Sequence, residues 1–158
     1  MTSPTIPLQA GAVAPEFTLA STSGENVTLS SFRGKSAVLL AFFPLAFTGV
    51  CTAELCGFSE DFDAFSSEGV QILPISVDAT PSLKEFRAKY DMKVHLLSDI
   101  RREASRAYGV LREESYTSQR AYFLIDRDGV IRWAHVELHP GLKRENAEIL
   151  ETIKSVIG

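Results

Sequence analysis

The stretch Ala37-Val-Leu-Leu-Ala-Phe-Phe43, continued by Pro44-Leu-Ala-Phe-Thr-Gly-Val50 and Cys51-Thr-Ala-Glu-Leu-Cys56, decides how the rest of the chain is read. Residues 37–43 are apolar without alternation, the pattern of a strand covered on both faces by helices. From Cys51 onward Leu55, Phe58, Phe62 and Phe65 recur at intervals of three or four, which marks one helix face, and Gly69 closes the segment. A core strand therefore feeds, through a turn, a helix whose first turn holds Cys51.

The same grammar extends in both directions. Upstream, Phe17–Leu19 and Val27–Leu29 flank Ser23-Gly24-Glu25-Asn26 and read as a hairpin at the sheet edge, while residues 1–12, with Pro4 and Pro7, read as a loose arm. Downstream, Val70–Val77 is strand-like, Thr80-Pro81 starts a helix with Leu83, Phe86 and Tyr90 on one face, and Val94–Leu97 reads as a short strand. Arg101–Tyr108 is a short helix with Gly109 just past its end. Ala121–Ile125 and Val130–Val136 surround Asp126-Arg-Asp-Gly129 as an antiparallel hairpin, and Ile149, Leu150, Ile153, Val156 and Ile157 define a final amphipathic helix. The sum is an α/β fold, a mixed central sheet flanked by helices.

With 158 residues the chain is expected to form one domain over 1–158, burying about two-thirds of its unfolded surface. Its 45% hydrophobic and 23% charged residues are ordinary for a globular protein. Sixteen basic against 20 acidic residues, a net charge of −4, with no Lys/Arg block, argue against nucleic acid and anionic lipid as partners. The longest apolar stretch, residues 37–47, contains Pro44 and falls short of the ~18 residues of a membrane span. No basic residue precedes Arg33 and no continuous apolar segment opens the chain, so a cytoplasmic location is expected. In that reducing setting two cysteines suit thiol or metal chemistry better than a structural disulfide.

A helix N-terminus carries roughly half a positive charge and unpaired N–H donors, which favours a thiolate in its first turn. Position alone leaves Cys51 open between a nucleophile and a small buried hydrophobe. The combination Pro44-x-x-x-Thr48-x-x-Cys51, however, resembles the peroxiredoxin active-site motif. Ala14-Pro15-Glu-Phe-Thr-Leu19, Ser76-Val-Asp78, Leu96-Leu-Ser-Asp99, Tyr108-Gly-Val110 and Arg120-Ala-Tyr-Phe-Leu-Ile-Asp126 resemble peroxiredoxin segments in the same order, so the likeness covers nearly the whole chain.

The resemblance implies a thioredoxin-like fold with an N-terminal β-hairpin extension, and a peroxidase acting on hydrogen peroxide and alkyl hydroperoxides. It implies that Cys51 attacks the peroxide, that Thr48 positions it, that Pro44 shields the sulfur without a competing N–H, and that Arg120 stabilises thiolate and leaving oxygen. Glu54 matches a frequent family position; a carboxylate beside Cys51 opposes the thiolate by Coulomb's law, so its useful role is to hold the arginine. No cofactor and no metal are expected.

Cys56 divides two branches of the family. Its five-residue offset is similar to the PrxQ or bacterioferritin-comigratory branch, which implies that it resolves the sulfenic acid as an intramolecular disulfide. On an intact helix five residues rise about 7.5 Å and turn about 140°, beyond the ~6.8 Å Cα limit of a disulfide, so the helix must unwind for the bond to form. Phe42-Phe-Pro-Leu-Ala-Phe-Thr-Gly-Val-Cys51 is also similar to the alkyl hydroperoxide reductase E branch, where an external thiol does the work. The first branch implies a thioredoxin-like dithiol as reductant and the second a glutaredoxin, mycoredoxin or small thiol, and a monomer and a homodimer both stay open.

Three rivals are weaker. Cys51-x₄-Cys56 with His135-x₃-His139 imitates zinc-finger ligands, but 78 residues separate the pairs instead of ~12. A thioredoxin-type oxidoreductase would need a Cys-x-x-Cys pair, which is absent from the sequence. A peroxide sensor that relays oxidation to a partner would use the same fast thiolate and differs only in lacking turnover.

Overall fold

Along the chain the strands are β1 (Thr18–Ser21), β2 (Asn26–Thr28), β3 (Ala37–Phe42), β4 (Val70–Ser76), β5 (Leu97–Ser98), β6 (Leu111–Arg112), β7 (Thr117–Ser118), β8 (Ala121–Ile125) and β9 (Ile131–Val136). The helices are α1 (Gly49–Glu60), α2 (Phe62–Ser67), α3 (Thr80–Lys89), α4 (Glu103–Ala107) and α5 (Asn146–Val156). The structure is a computed structural model that describes residues 6–139 and 141–157.

The apolar run at 37–43 lies where its composition demands. β3 is buried at every position and sits inside a seven-stranded sheet of order β2-β1-β5-β4-β3-β8-β9. It pairs parallel with β4 and antiparallel with β8, so the sheet is mixed. Successive β3 side chains alternate between two cores. Leu39, Ala41 and Phe43 join Leu55, Phe58, Phe65, Phe86 and Ile153 from the helices α1, α2, α3 and α5. Val38, Leu40 and Phe42 join Phe17, Leu19, Tyr108 and Phe123 on the opposite face, with α4.

Pro74 inside β4 is tolerated for a definite reason. Ile75 and Ser76 direct their carbonyls to Phe43 of the β3 end and to Asp99 beyond β5, respectively. Pro74 therefore shares the β5 flank with Ser76, and β5 reaches β4 only at Ile75 and Ser76, so no ladder donor is needed at Pro74.

Four details depart from the sequence reading. The apolar helical stripe after Cys51 is split at Asp61 into α1 and α2, although Phe58 and Phe65 still meet edge to face at 5.8 Å. The strand expected over Val94–Leu97 is shorter and later, because only Leu97 and Ser98 pair. A small hairpin, β6 with β7, has no counterpart in the sequence reading. The loose arm expected over residues 1–12 is corrected for its described part, while residues 1–5 lie outside the described residues. The Leu8 and Gly11 N–H groups donate to the Tyr108 and Ile131 carbonyls, Ile131 N–H donates to Ala12, and Val13 bridges Val130. Edge backbone groups at the start of β9 need partners, and the arm supplies them.

Gly109 fixes the other contact of this arm. It lies just past α4 in the left-handed region, at φ +74°, and a Cβ there would run into the backbone of Ile6 and Pro7. Gly109→Ala is expected to lower stability by about 2 kcal/mol, through both the strained φ and the displaced arm, and to lower the urea midpoint without changing its slope.

Candidate active site

The register of the sheet brings the two halves of the site together. Phe42 pairs with Ala121, so the turn that leaves β3 and the residue that enters β8 are neighbours. Within that turn Ala46 N–H donates to Asp78 Oδ2 at 2.9 Å, Ser76 Oγ donates to the same oxygen at 2.8 Å, and Ser118 Oγ donates to the Phe43 carbonyl at 3.1 Å. Phe47 then adopts φ +65° and packs its ring, tilted by 50°, against Phe86 with centroids 4.9 Å apart. A bulky residue held in the left-handed region is costly, and these contacts restrain the turn around it.

The turn delivers Thr48 to the N-cap of α1, but its side chain does not cap the helix. Thr48 Oγ1 donates instead to the Leu45 carbonyl at 2.8 Å. The hydroxyl proton is thus spent inside the turn, and the oxygen can only accept further hydrogen bonds, through its lone pairs. The Val50 and Cys51 N–H groups belong to the first turn, where an α-helix offers its donors no internal partner. Pro44, Thr48, Val50, Cys51, Arg120 and Gly141 line a cleft of about 290 Å³ at this point. A larger cleft of about 440 Å³ opens between β1, the start of α3 and the end of β5, but no cysteine lines it.

Behind the cleft lies a buried charged cluster. Arg120 is only 2% exposed, and its Nη2 donates to Cys51 Sγ at 3.0 Å while Nη1 donates to Glu54 Oε1 at 2.6 Å. Cys51 and Glu54 are three positions apart on α1 and so occupy one helix face. The second Glu54 oxygen accepts the Tyr122 hydroxyl at 2.6 Å, and Tyr122 Oη in turn accepts the Arg144 backbone N–H at 2.9 Å. Burial weakens the hold of Arg120 on its proton, but Glu54 and then Cys51 outweigh it, and the guanidinium lies above its ordinary pKa. Burial pushes the Glu54 carboxyl up, against the opposing pull of Arg120 and Tyr122.

Five residues singled out from the sequence, Pro44, Thr48, Cys51, Glu54 and Arg120, therefore come together. Cys56 does not join them. It lies on the unbroken helix α1, half-buried against the core of α1, α2, α3 and α5, with burial and then Glu60 pushing its thiol up. Both cysteines are free thiols. Sequence reasoning gave no role to Tyr122, Ser118, Asp78 or Gly141. The one available signal was the two-residue period of β8, which puts Tyr122 on the same side of the strand as Arg120.

Comparison with known proteins points one way. Residues 10–134 match the AhpC/TSA family. The chain is 39% identical over 140 residues to alkyl hydroperoxide reductase E of Mycobacterium tuberculosis, covering 87% of this chain and 91% of that protein. It is 38% identical over 131 residues to peroxiredoxin Bcp of Escherichia coli, covering 79% and 83% respectively. The reduced 2-Cys peroxiredoxin of Plasmodium vivax superposes with a TM-score of 0.87 at 34% identity, over 95% of this chain and 82% of that one.

The site also predicts behaviour in alkali. Burial raises the Tyr122 phenol well above the ordinary ~10, with Glu54 adding to it, and burial likewise raises Tyr108, with Glu16 adding less. A raised folded pKa gives stability that is complete below pH ~10 and is lost as pH climbs towards the folded value. Tyrosinate absorbance followed against pH should show these two tyrosines ionising only together with loss of the far-ultraviolet circular dichroism signal.

Proposed function

The chain belongs to the AhpC/TSA family and is a peroxiredoxin, a thiol-dependent peroxidase, and on that premise we propose that Cys51 carries out the reaction with Thr48, Pro44, Arg120 and Glu54. The observation that carries this reading is the guanidinium of Arg120 held 3.0 Å from Cys51 Sγ inside the protein. A buried cation stabilises negative charge on the sulfur and remains in place for charge that develops beside it.

In the proposed step the Cys51 thiolate attacks the terminal oxygen of a hydroperoxide. The S–O bond forms as the O–O bond breaks, sulfur is oxidised to sulfenic acid by two electrons, and the departing oxygen leaves as an alkoxide or hydroxide that takes a proton from water. Thr48 Oγ1, its own proton engaged with Leu45, accepts the peroxide O–H. The first-turn N–H groups and Arg120 donate to the oxygens, and Pro44 adds an apolar wall with no N–H of its own. Glu54 holds Arg120 from behind. The substrates are hydrogen peroxide and alkyl hydroperoxides, and the apolar Leu45 at the cleft suits the latter.

Cys56 is proposed as the resolving thiol. Its thiolate attacks the sulfenic sulfur, the S–S bond forms and hydroxide leaves, and a thioredoxin-like dithiol then reduces the disulfide. α1 is continuous from Gly49 to Glu60 in the reduced state, so this step requires its first turns to unwind. The same continuity, with Cys56 packed against the core, favours a second reading in which an external glutaredoxin, mycoredoxin or small thiol reduces Cys51 directly. Two free thiols suit a reducing compartment such as the cytoplasm, and among the described residues no helix is long and apolar enough to cross a membrane.

Intact mass spectrometry after one equivalent of hydrogen peroxide tests these readings. The reduced protein is expected to lose two hydrogens, Cys56→Ser to trap a single added oxygen, and Cys51→Ser to be inert. An oxygen adduct in both wild type and Cys56→Ser would assign recycling to an external thiol, and an unreactive Cys51 would overturn the assignment of the nucleophile.

A further inference from the structure

We infer that Tyr122 is a positioning residue for the Cys51 reaction, its one phenol fixing the Glu54–Arg120 pair from behind and tying that pair to residues 141–144 at the outer wall of the cleft. The inference rests on the peroxidase reading and assigns a residue that carries no part of the motif.

The geometry is a chain of buried contacts. Arg120 reaches Cys51 with Nη2 and Glu54 with Nη1. A carboxylate held by one oxygen alone can turn about its terminal torsion, and the hydroxyl of Tyr122 on Oε2 removes that freedom. Tyr122 Oη also accepts from the Arg144 backbone, so its donor and an acceptor site are both engaged. Its ring is fully buried and stacks on Trp133 at 6.0 Å and His135 at 6.3 Å, which bars the phenol from swinging aside. Gly141, three residues before Arg144, lines the same cleft as Cys51. The Arg144 side chain donates to buried Glu137, whose own N–H donates to the Arg120 carbonyl. Cleft wall and buried cation thus share one frame, with Tyr122 at its centre.

The titratable and charged groups facing Glu54 are Arg120 at the entry to β8, Tyr122 on β8 and, more distantly, Lys143 from the segment before α5. Removing the phenolic donor leaves burial less opposed, so Glu54 takes up its proton at a higher pH and loosens its grip on Arg120. Neutralising Glu54 without moving Arg120 would do the opposite, since it would leave more positive charge for the sulfur. The sign of the effect therefore separates positioning from charge.

The test is stopped-flow oxidation of reduced protein by hydrogen peroxide across pH, for wild type, Tyr122→Phe, Glu54→Gln and the double variant. Tyr122→Phe is expected to lower the second-order rate constant about tenfold and to move the acid limb of its profile to higher pH by about half a unit. In the Glu54→Gln background, where nothing titrates at that position, Tyr122→Phe should leave the limb where it is, and the two losses should not add. A Tyr122→Phe rate equal to or above wild type, or a limb shift that persists in the Glu54→Gln background, overturns the inference. Wild-type Cys51 that fails to react at all overturns the peroxidase reading instead, so the two failures are distinct.

Discussion

A guanidinium buried at the 2% level is the constraint around which this molecule is arranged. Taking an unpaired charge out of water costs several kcal/mol even after relaxation, so Arg120 is tolerable only between anions or strong acceptors. The sheet places it at the entry to β8, beside the exit from β3, and α1 brings Cys51 and Glu54 against it on one face. Each partner is then constrained by the others. A carboxylate alone would satisfy the cation, but a sulfur in the second place makes the same pairing chemically useful.

Glu54 illustrates how the opposing effects balance. Its negative charge works against a second anion on Cys51, yet without it the guanidinium would sit in an apolar interior with one partner fewer. Burial lifts the carboxyl, and Arg120 and Tyr122 work against that lift. The arrangement gives up some charge advantage at the sulfur in return for a fixed direction of approach, and fixed donors are what a reaction with charge developing at a defined oxygen exploits.

The parts of this design legible in the sequence are those that leave a local signal. Residues 37–43 announce a covered strand because both of their faces are apolar, Gly109 announces a helix end because only glycine takes that φ without strain, and Cys51 stands at a helix start by spacing. Arg120 and Glu54 were reachable only through a family likeness, since one arginine and one first-turn acid look the same whether buried or solvated. Tyr122 left only the two-residue period that puts it on the side of Arg120, because a tyrosine between Ala121 and Phe123 in a buried strand reads as core, and it is core, with only its hydroxyl working. The break at Asp61 was equally silent. Its N–H donates back to α1 while its carbonyl accepts from Ala64 and Phe65, and the apolar stripe continues across the junction unchanged.

The helix that exposes Cys51 to its donors also keeps Cys56 out of reach, and the proposed chemistry acts on that conflict directly. In the reduced state a charge-assisted bond from Arg120 anchors the first turn of α1 through the sulfur itself. Oxidation to sulfenic acid replaces the anion by a neutral group, so the anchor loses its ion-pair character, though the guanidinium stays charged, at the moment unwinding becomes useful. Beyond the backbone bonds of the helix itself, that turn is held by Thr52 N–H and Oγ1 on the Thr48 carbonyl and by Glu54 on Arg120. Gly57, immediately after Cys56, costs the helix about 1 kcal/mol relative to alanine, so α1 carries a weak point next to the second thiol. Glu54, on the same face of α1 as Cys51, is held by Arg120 and Tyr122 through bonds that do not involve the sulfur. It therefore marks the boundary between the turn that must move and the frame that must not.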